Sequence, residues 1–295
     1  MTREQNIAIL SPGDMGNAVG KVLRHNGYGI RTSLEGRSQR TATLAAAAGF
    51  DIDTSDRELV TNSGIIVSIL VPSEAIRTAE RIAAVVKQLG PDDPKPIYVD
   101  LNAISMKSAQ RVQEIVEDAG MRMVDGGIMG GPPQIGGYQP RIYLSGELAP
   151  QIQDMLVRGG LDVRILGPDI GKASAFKMMY ASLHKGLTAL CIQASVSAKA
   201  LDLLPQLQQE LADSSPTMLT NMEKGVPGMA PKAYRWVGEM DEIADTYEAV
   251  GMTPTIFRGA ADLYRFVTST ELAKEVPEDP RKSLDETVTI LANAL

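Results

Sequence analysis

Short apolar runs closed by turn residues alternate with helical stretches up to about residue 165, and then the apolar runs stop. That alternation is the strongest constraint in the chain. Successive parallel strands must be joined by crossovers, so it predicts a doubly wound parallel sheet with helices on both faces. Asn6–Leu10 (NIAIL) reads as a buried strand running into Ser11-Pro12-Gly13. Gly29–Leu34, Gly64–Leu70, Pro96–Leu101, Met121–Val124 and Arg141–Ser145 read as further strands. Asn17–His25, Thr41–Ala48, Ser73–Leu89 and Ser105–Ala119 carry helical spacing, with Ser73 placed as an N-cap and Gly49 and Gly120 as stops. From Lys172 to Leu203 there is one glycine, Gly186, and no proline. Pro216, Gly225–Gly228, Gly251 and Pro277–Pro280 punctuate the remainder, which has helical periods only. The expected organisation is an α/β domain over residues 1–170 and an all-α domain over 171–295.

Composition closes off several functions. Lys and Arg total 29 against 36 Asp and Glu, a net charge of −7, and no basic block is present. A nucleic-acid surface is not expected, although a local basic pocket is compatible with the sum. The single cysteine, Cys191, forms no intramolecular disulfide and reads as a small core residue. His25 and His184 are far apart in sequence and no HExxH spacing exists, so no metal site is expected. No apolar leader and no run of about 18 apolar residues occurs, so no membrane span is expected and the cytoplasm is the default location.

The first turn carries chemistry. Gly13, Asp14, Met15 and Gly16 occupy the G-x-G-x-x-G position of a dinucleotide-binding turn, with Ser11 in place of the first glycine. Gly13 would let backbone approach a pyrophosphate and Gly16 would let helix and strand pack closely. Asp14 is repulsive toward phosphate and could instead cap the helix. After the second strand come Glu35, Arg37, Ser38 and Arg40. An acid there binds the ribose hydroxyl of NAD, whereas Arg37, Ser38 and Arg40 suit the 2′-phosphate of NADP. NADP is favoured and NAD is the alternative. An ordinary solvated helix start is the competing account of Arg37 and Arg40.

Lys177, Tyr180 or Ala181, and His184 lie at i, i+3 or i+4, and i+7. At about 3.6 residues per turn they share a helix face. Burial lowers a lysine pKa and would make Lys177 a proton donor and acceptor near neutral pH. The competing reading is a lysine stem packed on apolar surface with its head in water. His184 taken alone reads as an interior or interface histidine.

These stations, in this order, resemble the β-hydroxyacid dehydrogenase superfamily, which includes 3-hydroxyisobutyrate dehydrogenase, 6-phosphogluconate dehydrogenase and the imine reductases. The matching residues are Gly13 to Gly16, Arg37, the Leu70-Val71-Pro72 turn, Asp100 to Asn102, the substrate loop from Asp125 through Met129, Gly130 and Gly131, and Lys177 to Ala181. Leu34 to Ser38, Lys185-Gly186 and Arg235 to Ile243 are similar to a 6-phosphogluconate-dehydrogenase-like branch with a distinct C-terminal domain. The resemblance implies a Rossmann-type domain, a helical second domain, a homodimer and hydride transfer at an alcohol carbon. It places cofactor contacts at Leu70, Val71, Pro72 and Asn102, substrate contacts at Met129, Gly130, Gly131 and Ala181, and catalysis at Lys177 with help from Tyr180 or His184. Three polar anchors of the family pattern are replaced here. The loop serine is Met129, the asparagine is Ala181, and a lysine falls on Glu239. Apolar walls in place of two of them imply a substrate less acidic or larger than 3-hydroxyisobutyrate. Imine reduction, a cofactor-binding protein without turnover, and, more weakly, oxidative decarboxylation are the alternative functions.

Overall fold

The computed structural model describes residues 2–276 and 279–295. Its strands are β1 (Asn6–Leu10), β2 (Gly29–Ser33), β3 (Asp51–Asp53), β4 (Ile65–Ser68), β5 (Ile97–Asp100), β6 (Arg122–Met129), β7 (Arg141–Ser145) and β8 (Asp162–Ile165). They form one sheet in the order β3-β2-β1-β4-β5-β6-β7-β8. The helices over the sheet are α1 (Asp14–His25), α2 (Gln39–Ala47), α3 (Asp56–Asn62), α4 (Ala75–Val86), α5 (Met106–Asp118) and α6 (Ala149–Arg158). Alternate residues of β1 explain the double winding. Ile7 and Ile9 enter one core with Val22, Leu23, Val124 and Leu144, while Ala8 and Leu10 enter another with Ile66, Ile82, Tyr98 and Val112. A strand buried on both faces has to be covered by helices on both sides.

The structure departs from the sequence reading in more than one way, and β8, α3 and α6 are elements that reading did not name. β3 is an edge strand of an acidic tripeptide with no apolar run. It is held across the sheet by Arg31, whose Nε and Nη2 donate to Asp53 at 2.9 and 2.6 Å. The sheet is not wholly parallel, because β7 runs antiparallel to β6, pairing Asp125 with Ser145 and Met129 with Arg141. No helix lies between them to carry a crossover. The expected substrate loop is strand from Asp125 to Met129, and only Gly130 and Gly131 lie beyond it. Ser73 does not cap a helix. Pro72 opens a 3-10 turn over Pro72–Glu74, and α4 begins after it with Glu74 at the N-cap position.

The chain divides into two compact units, Met1–Met178 and Met179–Leu295. The long helix α7 (Lys172–Ala200) runs through the division. In the second unit follow α8 (Leu204–Ser214), α9 (Pro216–Met229), α10 (Ala233–Glu248), α11 (Thr255–Thr268) and α12 (Leu284–Ala292), with no strand among the described residues. Trp236 meets Tyr264 edge-on at 5.3 Å, and Tyr247 stacks on Phe257 at 5.2 Å, joining α10 to α11. Pro277 lies outside the described residues. No described helix is long and apolar enough to cross a membrane.

Candidate functional site

β1, β2, β4, β5 and β6 run parallel, so their carboxyl ends share one edge of the sheet. The chain reverses its direction of travel across the sheet between β1 and β4, which makes this edge the topological switch point where open α/β sheets bind ligands. The turn after β1 is Ser11-Pro12-Gly13. Ser11 adopts φ +54, a left-handed conformation that strains a residue with a Cβ. Its carbonyl accepts from the Gly13 N–H at 2.7 Å. A Cβ on Gly13 would meet nothing nearer than 4.0 Å, whereas one on Gly16 would lie 3.2 Å from Ile9 Cγ2. Gly13 thus leaves backbone open to a ligand, and Gly16 brings α1 close onto β1. α1 takes no side-chain cap, so its first N–H groups face outward from the turn. We expect Ser11→Gly to raise the free energy of unfolding by up to about 1 kcal/mol, read by urea denaturation. A lower stability would show that the Ser11 side chain itself supports the turn.

Asp14 is the first residue of α1 rather than its cap, and its carboxylate accepts from Arg40 Nη2 at 2.7 Å. This pairing sets Arg40 against the carboxylate that would otherwise repel phosphate. Ser38 is the N-cap of α2, its hydroxyl accepting from the Thr41 N–H at 3.2 Å. Arg37 follows a tight turn closed by its N–H on the Leu34 carbonyl at 3.0 Å, with Gly36 at φ +68. Its half-buried guanidinium makes no ion pair among the described residues. Burial, and after it the Arg37 charge, lowers the pKa of Arg81, which is ion-paired with Asp56. Glu35 is exposed.

At the ends of β4 and β5, Asn102 is buried and committed to the protein. Its Nδ2 donates to Ser68 Oγ and Asp100 Oδ2, both at 2.9 Å, and its Oδ1 accepts from the Leu70 N–H at 2.5 Å. Asn102 therefore fixes the Leu70-Val71-Pro72 turn rather than displaying its amide. Of those three, Leu70 and Val71 are half-buried and Pro72 is buried.

Beyond β6, Gly130 and Gly131 are exposed while Met129 is buried. Lys177 lies against the same strand, and its Nζ donates to the Ile128 carbonyl at 2.5 Å. Burial pushes its pKa down to about 8. The helix approaches this closely because of Gly127, where a Cβ would sit 2.7 Å from Lys177 Cβ. Replacing Gly127 by Ala should lower stability by about 1–3 kcal/mol, measured as a shift in denaturation midpoint, because neither element can yield without moving the other.

The sequence reading quoted Asp125 only as the start of a loop, yet it anchors α7. Its Oδ2 accepts from the N–H groups of Gly171, Ala173 and Ser174 at 2.9, 3.1 and 3.1 Å and from Ser145 Oγ at 2.8 Å. Its Oδ1 accepts from Ser174 Oγ at 2.5 Å. Burial raises its pKa, and these donors pull it back. The available signal was an acid in an otherwise apolar strand.

In the second unit, Ala181 is buried, Tyr180 half-buried and His184 exposed, and the two rings lie 4.6 Å apart. Glu239, which stands where the family pattern has lysine, is buried and ion-paired with Lys185, whose ammonium lies 5.1 Å from the Trp236 ring centre. The pair neutralises the reversed charge within this chain. Cys191 is buried, as read from the sequence, and His25 is exposed.

Residues 6–141 match the model of the NAD binding domain of 6-phosphogluconate dehydrogenase, and residues 198–267 match a domain of unknown function, DUF1932. The chain is 28% identical over 214 residues to an NADPH-dependent reductive aminase of Aspergillus oryzae, covering 69% of this chain and 70% of that one. A conserved protein with structural similarity to 3-hydroxyacid dehydrogenases is 26% identical, with a TM-score of 0.65 over 90% of this chain and 97% of that one. Mycobacterium tuberculosis 3-hydroxyisobutyrate dehydrogenase shares the fold at 19% identity, with a TM-score of 0.70 over 99% of both chains.

Proposed function

We propose that the chain is a 6-phosphogluconate dehydrogenase-like member of the NAD(P)-dependent 3-hydroxyacid dehydrogenases and reductive aminases, and that it is an NADPH-dependent oxidoreductase acting on an alcohol/carbonyl pair. The observation that carries the reading is Lys177, held on the Ile128 carbonyl at the carboxyl edge of the sheet with its pKa lowered to about 8. The residues present fit a dinucleotide. Gly13 opens the turn, Gly16 brings the helix start to it, and Arg37 supplies a cation that makes no ion pair among the described residues. When bound, a nicotinamide supplies hydride transfer to or from carbon. The backbone of Gly13 to Gly16 would hold the pyrophosphate, and Arg37 the 2′-phosphate, with Arg40 kept nearby by Asp14. Lys177 gives a proton to the substrate oxygen in reduction and takes one in oxidation. Gly130 and Gly131, exposed beyond β6, let the substrate approach the backbone near Lys177. The apolar substitutions fit a substrate with less charge or more bulk than 3-hydroxyisobutyrate.

The same substitutions, together with the likeness to a reductive aminase, support a second reading in which the acceptor bond is C=N. The protein acts as a homodimer in either reading, with the exposed Met179, Leu183 and Leu190 of α7 as candidate contacts. The test begins with titration of NADPH and NADH, followed by nicotinamide fluorescence, and continues with a matched ketone and cyclic imine. Replacing Arg37 with Gln should weaken NADPH binding about 10- to 100-fold, the loss of a charge-assisted contact, and leave NADH binding unchanged. Equal loss for both cofactors would remove Arg37 as the phosphate reader. Absence of binding by either cofactor would remove the oxidoreductase reading.

A further inference from the structure

The connection from β6 to β7 holds a side chain that proton transfer by Lys177 does not use. It runs over residues 130–140, none of them charged. The loop closes on itself. The Gln134 N–H donates to the Tyr138 carbonyl at 2.8 Å, the Gly137 N–H to the Gln134 carbonyl at 3.1 Å, and Gln139 Nε2 to that same carbonyl at 2.8 Å. Gly136 supplies the left-handed residue inside the turn at φ +67. Tyr138 is thereby held by backbone on both sides.

The Tyr138 side chain reaches back to the end of β6. A Cβ on Gly130 would collide with the Tyr138 hydroxyl and would lie 3.2 Å from Pro140 Cβ. One residue on, a Cβ on Gly131 would meet nothing within 4 Å. The hydroxyl therefore stands at the edge of open backbone, two residues along the chain from the Ile128 carbonyl that accepts from Lys177 Nζ. Tyr138 and Lys177 belong to the same compact unit. Tyr138 is 52% exposed, and its hydroxyl makes no hydrogen bond among the described residues. Ile135 of the same loop is 51% exposed. Met129 is buried and stands where the family pattern has serine, so the hydroxyl at this end of β6 comes from Tyr138. Arg141, the first charged residue after the loop, has Asp162 opposite it on β8. The loop thus presents an apolar surface with one free hydroxyl and no charge of its own, which is the make-up of a wall that orients a neutral ligand.

We propose that Tyr138 is a substrate-binding residue, its hydroxyl donating to an uncharged oxygen of the substrate away from the reacting carbon and its ring covering the adjoining apolar part. The substrate class is a ketone, or the matching alcohol, with a second, neutral acceptor oxygen such as that of an ester. This inference rests on the alcohol/carbonyl reading above.

The test uses the full chain with saturating NADPH and three probes. These are methyl 4-oxopentanoate, 2-heptanone, which has the same chain length without the ester oxygens, and 4-oxopentanoate, the free acid. Binding is read from the rise of Tm with probe concentration, and reduction from kcat and KM. Wild type should bind the ester more tightly than 2-heptanone. Tyr138→Phe removes only the hydroxyl. It should weaken binding of the ester about 2- to 10-fold, the worth of a neutral hydrogen bond, and leave kcat, NADPH affinity and 2-heptanone binding unchanged. Tyr138→Ala also removes the ring and should weaken both ketones. A merely structural Tyr138 would lower the ligand-free Tm in Tyr138→Phe or shift both ketones alike. Either result overturns the proposal, as does a wild type that binds the ester no better than 2-heptanone. Tighter binding of 4-oxopentanoate than of its ester overturns the neutral-oxygen assignment. A wild type that binds no NADPH removes the oxidoreductase reading, and this inference with it. NADPH binding in all three proteins with no discrimination between the ketones removes this inference alone.

Discussion

Lys177→Met should lower turnover by about 10²- to 10⁴-fold while leaving NADPH affinity unchanged. Methionine keeps an unbranched stem of similar reach against Gly127, so packing is largely preserved and the loss reports the ammonium. The pH dependence follows from a pKa near 8, down from the ordinary lysine value of 10.5. Reduction needs the protonated amine, so its rate is level below about pH 8 and falls as pH rises through it. Oxidation needs the neutral amine, so its rate climbs through the same point and levels above it. Stability follows the same shift. Between about pH 8 and 10.5 the unfolded chain binds more protons at this site than the folded one, so Lys177 makes folding more favourable as pH rises through that window. Lys177→Arg retains a cation that neither releases nor takes up a proton in this range and should damage reduction and oxidation alike. Unchanged turnover in Lys177→Met would remove the acid–base assignment. Loss of ketone reduction with survival of cyclic-imine reduction would favour the C=N reading, because an imine nitrogen can enter already protonated.

The legible parts of the fold were those dictated by local pattern. Apolar runs marked β1, β4 and β5, and helical spacing marked α5, which Ser105 caps with its hydroxyl accepting from the Ser108 N–H. The glycine turn was legible because Gly13 and Gly16 sit between a buried strand and a helix. The parts that were not legible depend on partners distant in sequence. Arg31 looks like an interruption of β2 until Asp53 is beside it, and β3 exists because of that pair. Asn102 reads as a ligand contact because its bonds to Ser68 and to the backbone of Leu70 cross between strands. Glu239 reads as a lost lysine because periodicity does not bring Lys185 to it. Asp125 is the furthest case, since its partners lie 20 and 46 to 49 residues away.

Asp125→Ala is therefore expected to be the most destabilising single change in the α/β unit. It would leave four donors without an acceptor, the backbone N–H groups of Gly171 and Ser174 and the hydroxyls of Ser145 and Ser174, while the Ala173 N–H keeps Ser145 Oγ at 3.0 Å. Gly171, Ala173, Ser174 and Ser145 are all buried, so water does not readily replace the carboxylate. Each orphaned buried donor costs about 1–3 kcal/mol, and relaxation recovers part of the sum, so the net loss should be about 3–5 kcal/mol. The unit holding Asp125 is the size class in which each kcal/mol moves Tm by about 2–4 °C, so a fall of about 6–20 °C is expected. Asp125→Asn discriminates between volume and charge. Its amide keeps one oxygen but turns an NH₂ toward N–H and O–H groups that can only donate there, so it should recover little of the loss. Ser145→Ala, which removes one donor and leaves the carboxylate its others, should cost no more than about 1.5 kcal/mol. The consequence reaches the chemistry through the helix. With the start of α7 released, Lys177 loses its fixed approach to the Ile128 carbonyl, and turnover in the folded fraction should fall while the glycine turn at Gly13 still binds cofactor. A folded Asp125→Ala protein with normal Tm would show that α7 is held by its packing against β6 through Gly127 and not by the carboxylate.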